Sequence, residues 1–259
     1  MKRLLLPCFA LGATVAFAAP AAEAEAGRAL VKRHADAIIG VELVVTVKMK
    51  MNGQELPPRD QPVEVNGTVI AANGLTVTSL AGVDPRVMFE AARAMQGGGQ
   101  RGPELVSADF KEVKLRLADG KEVPAKFVLK DADLDLAFMA PETDEPGRQF
   151  AHVDLNSAAE GTVLGQYFFV ARASKSLQRV PLVRSTELVG IVEKPRKLFL
   201  ISDQSVGSPV FDAAGRTLGI YLQHFASGRP SGVVVLPAAD IAEMAKQAAA
   251  AQAAVKPAN

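Results

Sequence analysis

The 259-residue chain has one cysteine, no tryptophan, two tyrosines and three histidines. A single cysteine closes no intramolecular disulfide, so the fold has to be held by its core. The histidines, His34, His152 and His224, are too scattered for a paired zinc motif. No EF-hand pattern occurs, and no phosphate loop. The glycines between Gly97 and Gly102 lack the Lys-Ser/Thr such a loop needs and read as a flexible tip. No cofactor and no metal are therefore expected. Neither sign of charge dominates, with 29 basic and 28 acidic residues. Without a basic block there is no electrostatic case for nucleic acid. Beyond the first 18 residues no apolar run is long enough to span a bilayer.

Those first residues are the clearest positive signal. Met1-Lys2-Arg3 is a basic start, Leu4 to Phe17 is uncharged and apolar, and Ala16-Phe17-Ala18 is a small-x-small cleavage signature. Together they predict a secretory signal peptide over 1–18 and a secreted or periplasmic protein. Cys8 follows too few apolar residues for a lipid anchor. Cleavage after Ala18 removes the cysteine together with Lys2 and Arg3, leaving 27 basic residues (29 − 2) against 28 acidic, a net charge of −1.

Further on, residues 19–27 are rich in Ala and Glu and read as a mobile lead-in, and 28–36 as a short helix. The run IIGVELVVTVKMKM (38–51) predicts a long strand and 52–62 a turn-rich connection. Two β-branched runs then meet at Asn73-Gly74, a dipeptide that suits a tight turn. Asp84-Pro85 starts a helix that Gly97-Gly98-Gly99 ends, inside a surface excursion over 84–106. Val113, Leu115 and Leu117 alternate, and Val123, Ala125, Phe127 and Leu129 answer them across Asp119-Gly120. A strand follows over Leu134 to Met139. Residues 141–149 are the best internal boundary. Six more short strands precede a final helix opened by Pro237, and 248–259 reads as a low-complexity tail. Strands recurring every 8–12 residues favour barrels or sandwiches.

In order, these pieces resemble the trypsin-fold serine proteases, specifically the HtrA/Deg branch. NGTVIAANGLTVTSLAGV (66–83) follows the family's spacing of a Gly turn and V-T-N-N-H-V-V. VKLRLADGKEVPAKFVLKDADLDLAFMA is similar to its hairpin and T-D-L-A strand, and QSVGSPVFDAAGRTLGI to its G-N-S-G-G-P-L and following hairpin. The likeness covers roughly residues 28–247. It implies an all-β fold of two six-stranded antiparallel barrels, 28–142 and 150–247, with a helix at each end. The family's C-terminal peptide-binding module would need many more residues after Lys246 and is expected to be absent.

Acyl transfer on this fold needs a serine, a histidine that takes its proton and an aspartate that orients the histidine. The resemblance places these positions on Val206, Ala81 and Asp135, so only the aspartate is retained. Losing nucleophile or base alone costs such a triad about a millionfold in turnover. Ser205 is an alternative nucleophile, and Ser208 stands where the family has glycine. The N–H groups near Gln204 and Val206 would form an anion-binding nest. Gln223 and His224 lie on the strand that in the family pairs with the substrate backbone, which makes them candidate ligand contacts. His34 and His152 read as surface residues. Three readings follow: a pseudoprotease that binds a peptide or protein partner in the inter-barrel cleft, an active serine endopeptidase rearranged around Ser205 and His224, or a structural envelope protein that assembles through 84–106 and the C-terminal helix.

Overall fold

The computed structural model describes residues 18–95, 103–143, 147–202 and 205–254. Along them run α1 (Ala18–His34), β1 (Ile38–Met51), β2 (Gln54–Glu55), β3 (Arg59–Val69), β4 (Thr76–Ser79), α2 (Leu80–Val83), α3 (Pro85–Met95), β5 (Glu104–Arg116), β6 (Glu122–Asp131) and β7 (Leu136–Pro141). The second half holds β8 (Gln166–Arg172), β9 (Pro181–Val192), β10 (Leu198–Ile201), β11 (Pro209–Asp212), β12 (Thr217–Ala226), β13 (Arg229–Pro237) and α4 (Ala238–Ala254).

The first barrel closes in the order β1-β3-β4-β7-β6-β5, because β5 pairs back onto β1, and β2 only lengthens the β1 hairpin. The second closes as β10-β13-β12-β11-β8-β9. All ladders joining these strands are antiparallel. The expected two six-stranded antiparallel barrels are the fold.

The period-two pattern decides which residue serves which core, since successive side chains of a strand point to opposite faces. On β1, Ile39, Val41, Leu43, Val45 and Val47 fill the first barrel. On β7, Ala137 and Met139 join them, while Leu136, Phe138 and Ala140 face outward. The second barrel answers with the same device. Tyr167, Phe169 and Tyr221 lie inside it, whereas Phe168, Val170, Ile220 and Leu222 meet Phe138 and Leu136 in a shared layer between the barrels. Strands buried on both faces read as continuous apolar runs, as LAFMA and YFFVA do.

Turn chemistry follows the sequence at Asp119-Gly120, where Gly120 has φ +84° and Lys121 N–H donates to Asp119 Oδ1 at 3.0 Å. At Asn73-Gly74 the connection is wider than the dipeptide alone. Gly74 N–H donates to Ala71 O, Ile70 N–H to Leu75 O, and Leu75 N–H to Asn73 Oδ1. Gly74 has φ +87°, and a Cβ there would sit 2.9 Å from both Phe150 and Pro141.

Several expectations are corrected. Residues 19–27 are not a loose lead-in, because α1 begins at Ala18 and its alanines favour helix. This helix packs on β8 and β9 of the second barrel, although it precedes the first. His34, expected at the surface, is buried and stacks on Phe211 with ring centroids 4.3 Å apart; His152 is exposed. The tail is helical to Ala254. Its small side chains let α4 pack against β6 and β12, with Ala248 fully buried and Gln252 accepting from Asn73 Nδ2 at 3.2 Å. The start of the excursion is tied to the first barrel. Lys130 Nζ lies 4.3 and 4.1 Å from the ring centroids of Phe110 and Phe127 and bonds Asp84, whose carboxylate starts α3 by accepting from Arg86 N–H. The glycines at 97–99 and 102 lie outside the described residues.

One arginine bridges the barrels. Arg172, at the end of β8, donates to Ile38 O at 2.6 Å, Ala35 O at 2.7 Å and Arg179 O at 3.1 Å. Its side chain is 8% exposed. Arg179 in turn pairs with Glu42 and Glu64 of the first barrel. Removing the guanidinium takes a donor from three carbonyls, of which Ala35 O keeps the Ile38 N–H, and an unpaired buried polar group costs about 1–3 kcal/mol. Arg172→Met is expected to lower unfolding free energy by about 3 kcal/mol or more in a urea titration.

Candidate functional site

The loop before β11 docks one barrel on the other. Gly207 has φ +85°, a region that only glycine enters without strain. A Cβ there would lie 2.1 Å from Asn66 O and 2.8 Å from Thr78 Oγ1, both on the first barrel. Thr68 Oγ1 donates to Gly207 O at 2.9 Å, and Gly207 N–H to Tyr221 O at 2.7 Å. Val206 therefore stands beside the seam between the barrels, partly buried against the second core. Ser208 is fully buried, and its hydroxyl is 2.8 Å from that of Ser205. Gln204 lies outside the described residues.

Asp135 sits across this seam. It precedes β7 with φ +57°, a left-handed position that aspartate tolerates better than most residues, and it is 1% exposed. Its carboxylate accepts Ala81 N–H at 2.7 Å on Oδ1, and Gln223 N–H at 2.9 Å and the Ser79 hydroxyl on Oδ2. Its own carbonyl accepts Leu80 N–H at 2.9 Å. Ser79 caps α2 by accepting from Gly82 N–H at 3.3 Å, which leaves its proton for Asp135. Burial pushes the Asp135 carboxyl up to about 6, against the opposing pull of Ser79 and the Ala81 and Gln223 amides.

Thus Ala81 contributes an amide to the aspartate and no proton-accepting side chain. Both carboxylate oxygens of Asp135 have protein donors, one on Oδ1 and two on Oδ2. Ser79 was missed in the sequence because a serine at a strand end carries no distinctive signal. The cap it makes with Gly82 is the one local cue.

The alternative nucleophile and base are engaged elsewhere. Ser205 has the Ser208 hydroxyl for a partner. His224 Nδ1 bonds Ser231 on β13, and Gln223 Nε2 bonds Gly232 O. Gln223 and His224 are thus tied along the β12–β13 hairpin, and the hydroxyl of Ser205, the alternative nucleophile, is bonded to Ser208 and not to His224. What adjoins Ser205 is an open groove of about 670 Å³ in the second barrel, lined by Phe169, Leu182, Ile201, Ser202, Tyr221 and Val233. Among the described residues no cluster of three His, Cys, Asp or Glu could hold a metal.

The raised carboxyl has a stability consequence of definite sign. With a folded value near 6 and an ordinary value of 3.8, the folded state holds its proton more tightly. The contribution of Asp135 is most favourable below pH 3.8, falls as pH rises to about 6, and is flat above. The stability difference between Asp135→Asn and the parent is expected to shift by about 3 kcal/mol in favour of the variant across that window. Chemical denaturation at stepped pH reads this. Ser79→Ala should cost about 1–3 kcal/mol at pH 7 and raise the carboxyl further.

No curated protein matches the sequence. Among solved structures, the chain is similar to the protease domain of MamO from Magnetospirillum magneticum in its apo form, with a TM-score of 0.51 and 17% identity. That match covers 82% of this chain and 97% of the other, and it speaks for the shared fold. The trypsin-like peptidase domain family matches residues 65–220, more than half of the chain. The match takes in the Ala81, Asp135 and Val206 positions, and the chain belongs to this family.

Proposed function

We propose that this member of the trypsin-like peptidase family binds an extended segment of a peptide or protein along the inter-barrel cleft and does not cut it. One observation carries the reading. Asp135, which the family resemblance makes the orienter of a catalytic base, is bonded to Ser79 and two backbone amides, and the same resemblance puts Ala81 and Val206, which carry no reactive group, at the base and nucleophile positions. A residual acceleration of about a thousandfold over water, from binding and electrostatics alone, is all such a site retains. The Ser205–Ser208 bond speaks against Ser205 as an activated nucleophile, since no imidazole is bonded to either hydroxyl.

The groove beside Ser205 gives the ligand its character. Phe169, Ile201, Tyr221 and Val233 offer apolar walls to one side chain of the bound segment, with the β12 backbone near by. The basic, apolar leader at residues 1–18 supports a place of work outside the cytoplasm. Assembly through α3 and α4 is less favoured, since α4 is bound into the core through Ile241 and Ala248.

A fluorophosphonate probe should leave the folded protein unlabelled, and casein should remain intact. Fluorescence anisotropy with an extended-peptide library should find binders carrying a large apolar residue. Val233→Asp should weaken them at least tenfold, whereas Ser205→Ala should not. Labelling of a serine, or binding indifferent to Val233, would overturn the reading.

A further inference from the structure

The helix α1 meets the second barrel along one face. Glu23, Gly27, Leu30 and His34 are spaced four, three and four residues apart, which places them on a single helical stripe. Glu23 at one end accepts hydrogen bonds from Ser185 and Gln166, on β9 and β8. Gly27 lies where an added methyl would touch Val183 and Phe168 at 3.6 and 3.7 Å. Leu30 is buried in the shared core. His34 closes the stripe. It is 8% exposed, its ring lies nearly parallel to Phe211 at an interplanar angle of 15°, and its Nε2 is buried without a hydrogen-bond partner.

A neutral imidazole is tolerable there as a flat, largely apolar plate. An imidazolium is not, because its new N–H would be a charged donor with no acceptor in a site that excludes water. The surrounding charges offer no compensation. On α1, Arg33 is of the same sign. In the turn that follows, Asp36 leans toward Arg172 at 3.6 Å. On the barrel, the Asp212 carboxylate is held by Arg216 at 2.7 Å and by the Ala214 and Arg216 amides. The helix C-terminus favours a cation, but burial outweighs it.

We propose that α1 is an acid-released arm, clamped to the second barrel by neutral His34 and let go when that ring takes a proton. Release would uncover Phe168 and Phe211 beside the already half-exposed Val183, an apolar face on β8, β9 and β11. Burial, followed by the Arg33 charge, lowers the ring's value from 6.5 to about 4. Because the docked value is depressed, the clamp is at full strength above about pH 6.5 and weakens as pH falls toward 4. Glu23 stays out of this window, since its hydrogen bonds hold it below the usual carboxylate range.

Amide hydrogen exchange across α1 tests this on the full folded chain, at pH 7.5 and 5.0, with intrinsic rates corrected. Protection of Leu30 to His34 should fall about thirtyfold between the two, while strands β1 and β7 keep theirs. In His34→Phe, and separately in His34→Gln, α1 protection should differ less than threefold between the two pH values. The His34 ring protons should titrate well below pH 6. Unchanged protection in the parent, an equal loss in both variants, or a ring titrating near 6.5 would each overturn the proposal.

Discussion

A single buried carboxylate joins the two halves of this molecule. Asp135 belongs to the first barrel by sequence, yet one of its three donors, the Gln223 amide, comes from β12 of the second. The other two, Ser79 and Ala81, come from the segment where β4 turns into α2. A carboxylate taken out of water needs such donors, because an unpaired buried charge would neutralise itself or expel the strand that carries it. Burial raises its proton affinity, and the hydrogen bonds from Ser79, Ala81 and Gln223 oppose that and keep the group ionised at neutral pH. In a working triad the aspartate spends one acceptor site on an imidazole. Here the Ser79 hydroxyl is bonded to Oδ2, and the carboxylate ties β4, α2 and β12 together.

The rest of the seam is built to the same end. Gly207 brings its backbone against Asn66 and Thr78, closer than any side chain would allow. Arg172 collects carbonyls from both sides of the β1 entry. Between these polar ties lies the apolar layer of Phe138, Leu136, Phe168, Ile220 and Leu222, supplied by strands that are buried on both faces. On the proposed reading, these ties surround positions, Ala81 and Val206, that hold hydrocarbon. That combination is why the cleft reads as a binding surface, and why the groove at Phe169, Tyr221 and Val233 matters more than the serines beside it.

Much of the fold was legible in the sequence. The bounds of β1 and the Asp119-Gly120 turn follow from alternation and turn chemistry. The pair of six-stranded antiparallel barrels followed from the family resemblance. The motif also singled out Ala81 and Asp135, which the structure brings into contact. What escaped was contact between distant segments. An alanine-rich stretch before Arg28 gives no periodic signal, so the stripe from Glu23 to His34 shows only when the barrel it packs on is present. The alanines after Lys246 look like low complexity until β6 and β12 are seen beside them. Serines 79 and 231 have little to distinguish them in the chain, and their partners Asp135 and His224 lie on other segments. His34 was misplaced because a histidine on a short polar-flanked helix is usually solvated, and nothing nearby announces Phe211.

The most direct measurement is the titration of the Asp135 carboxyl carbon by NMR in the folded protein. A single transition near pH 6, unaffected by replacing any of the three histidines, is what a desolvated carboxylate pinned by Ser79, Ala81 and Gln223 should give. A midpoint near 4, or a two-step curve coupled to an imidazole, would mean that the aspartate is either open to water or still orienting a base, and the account would be wrong at its centre.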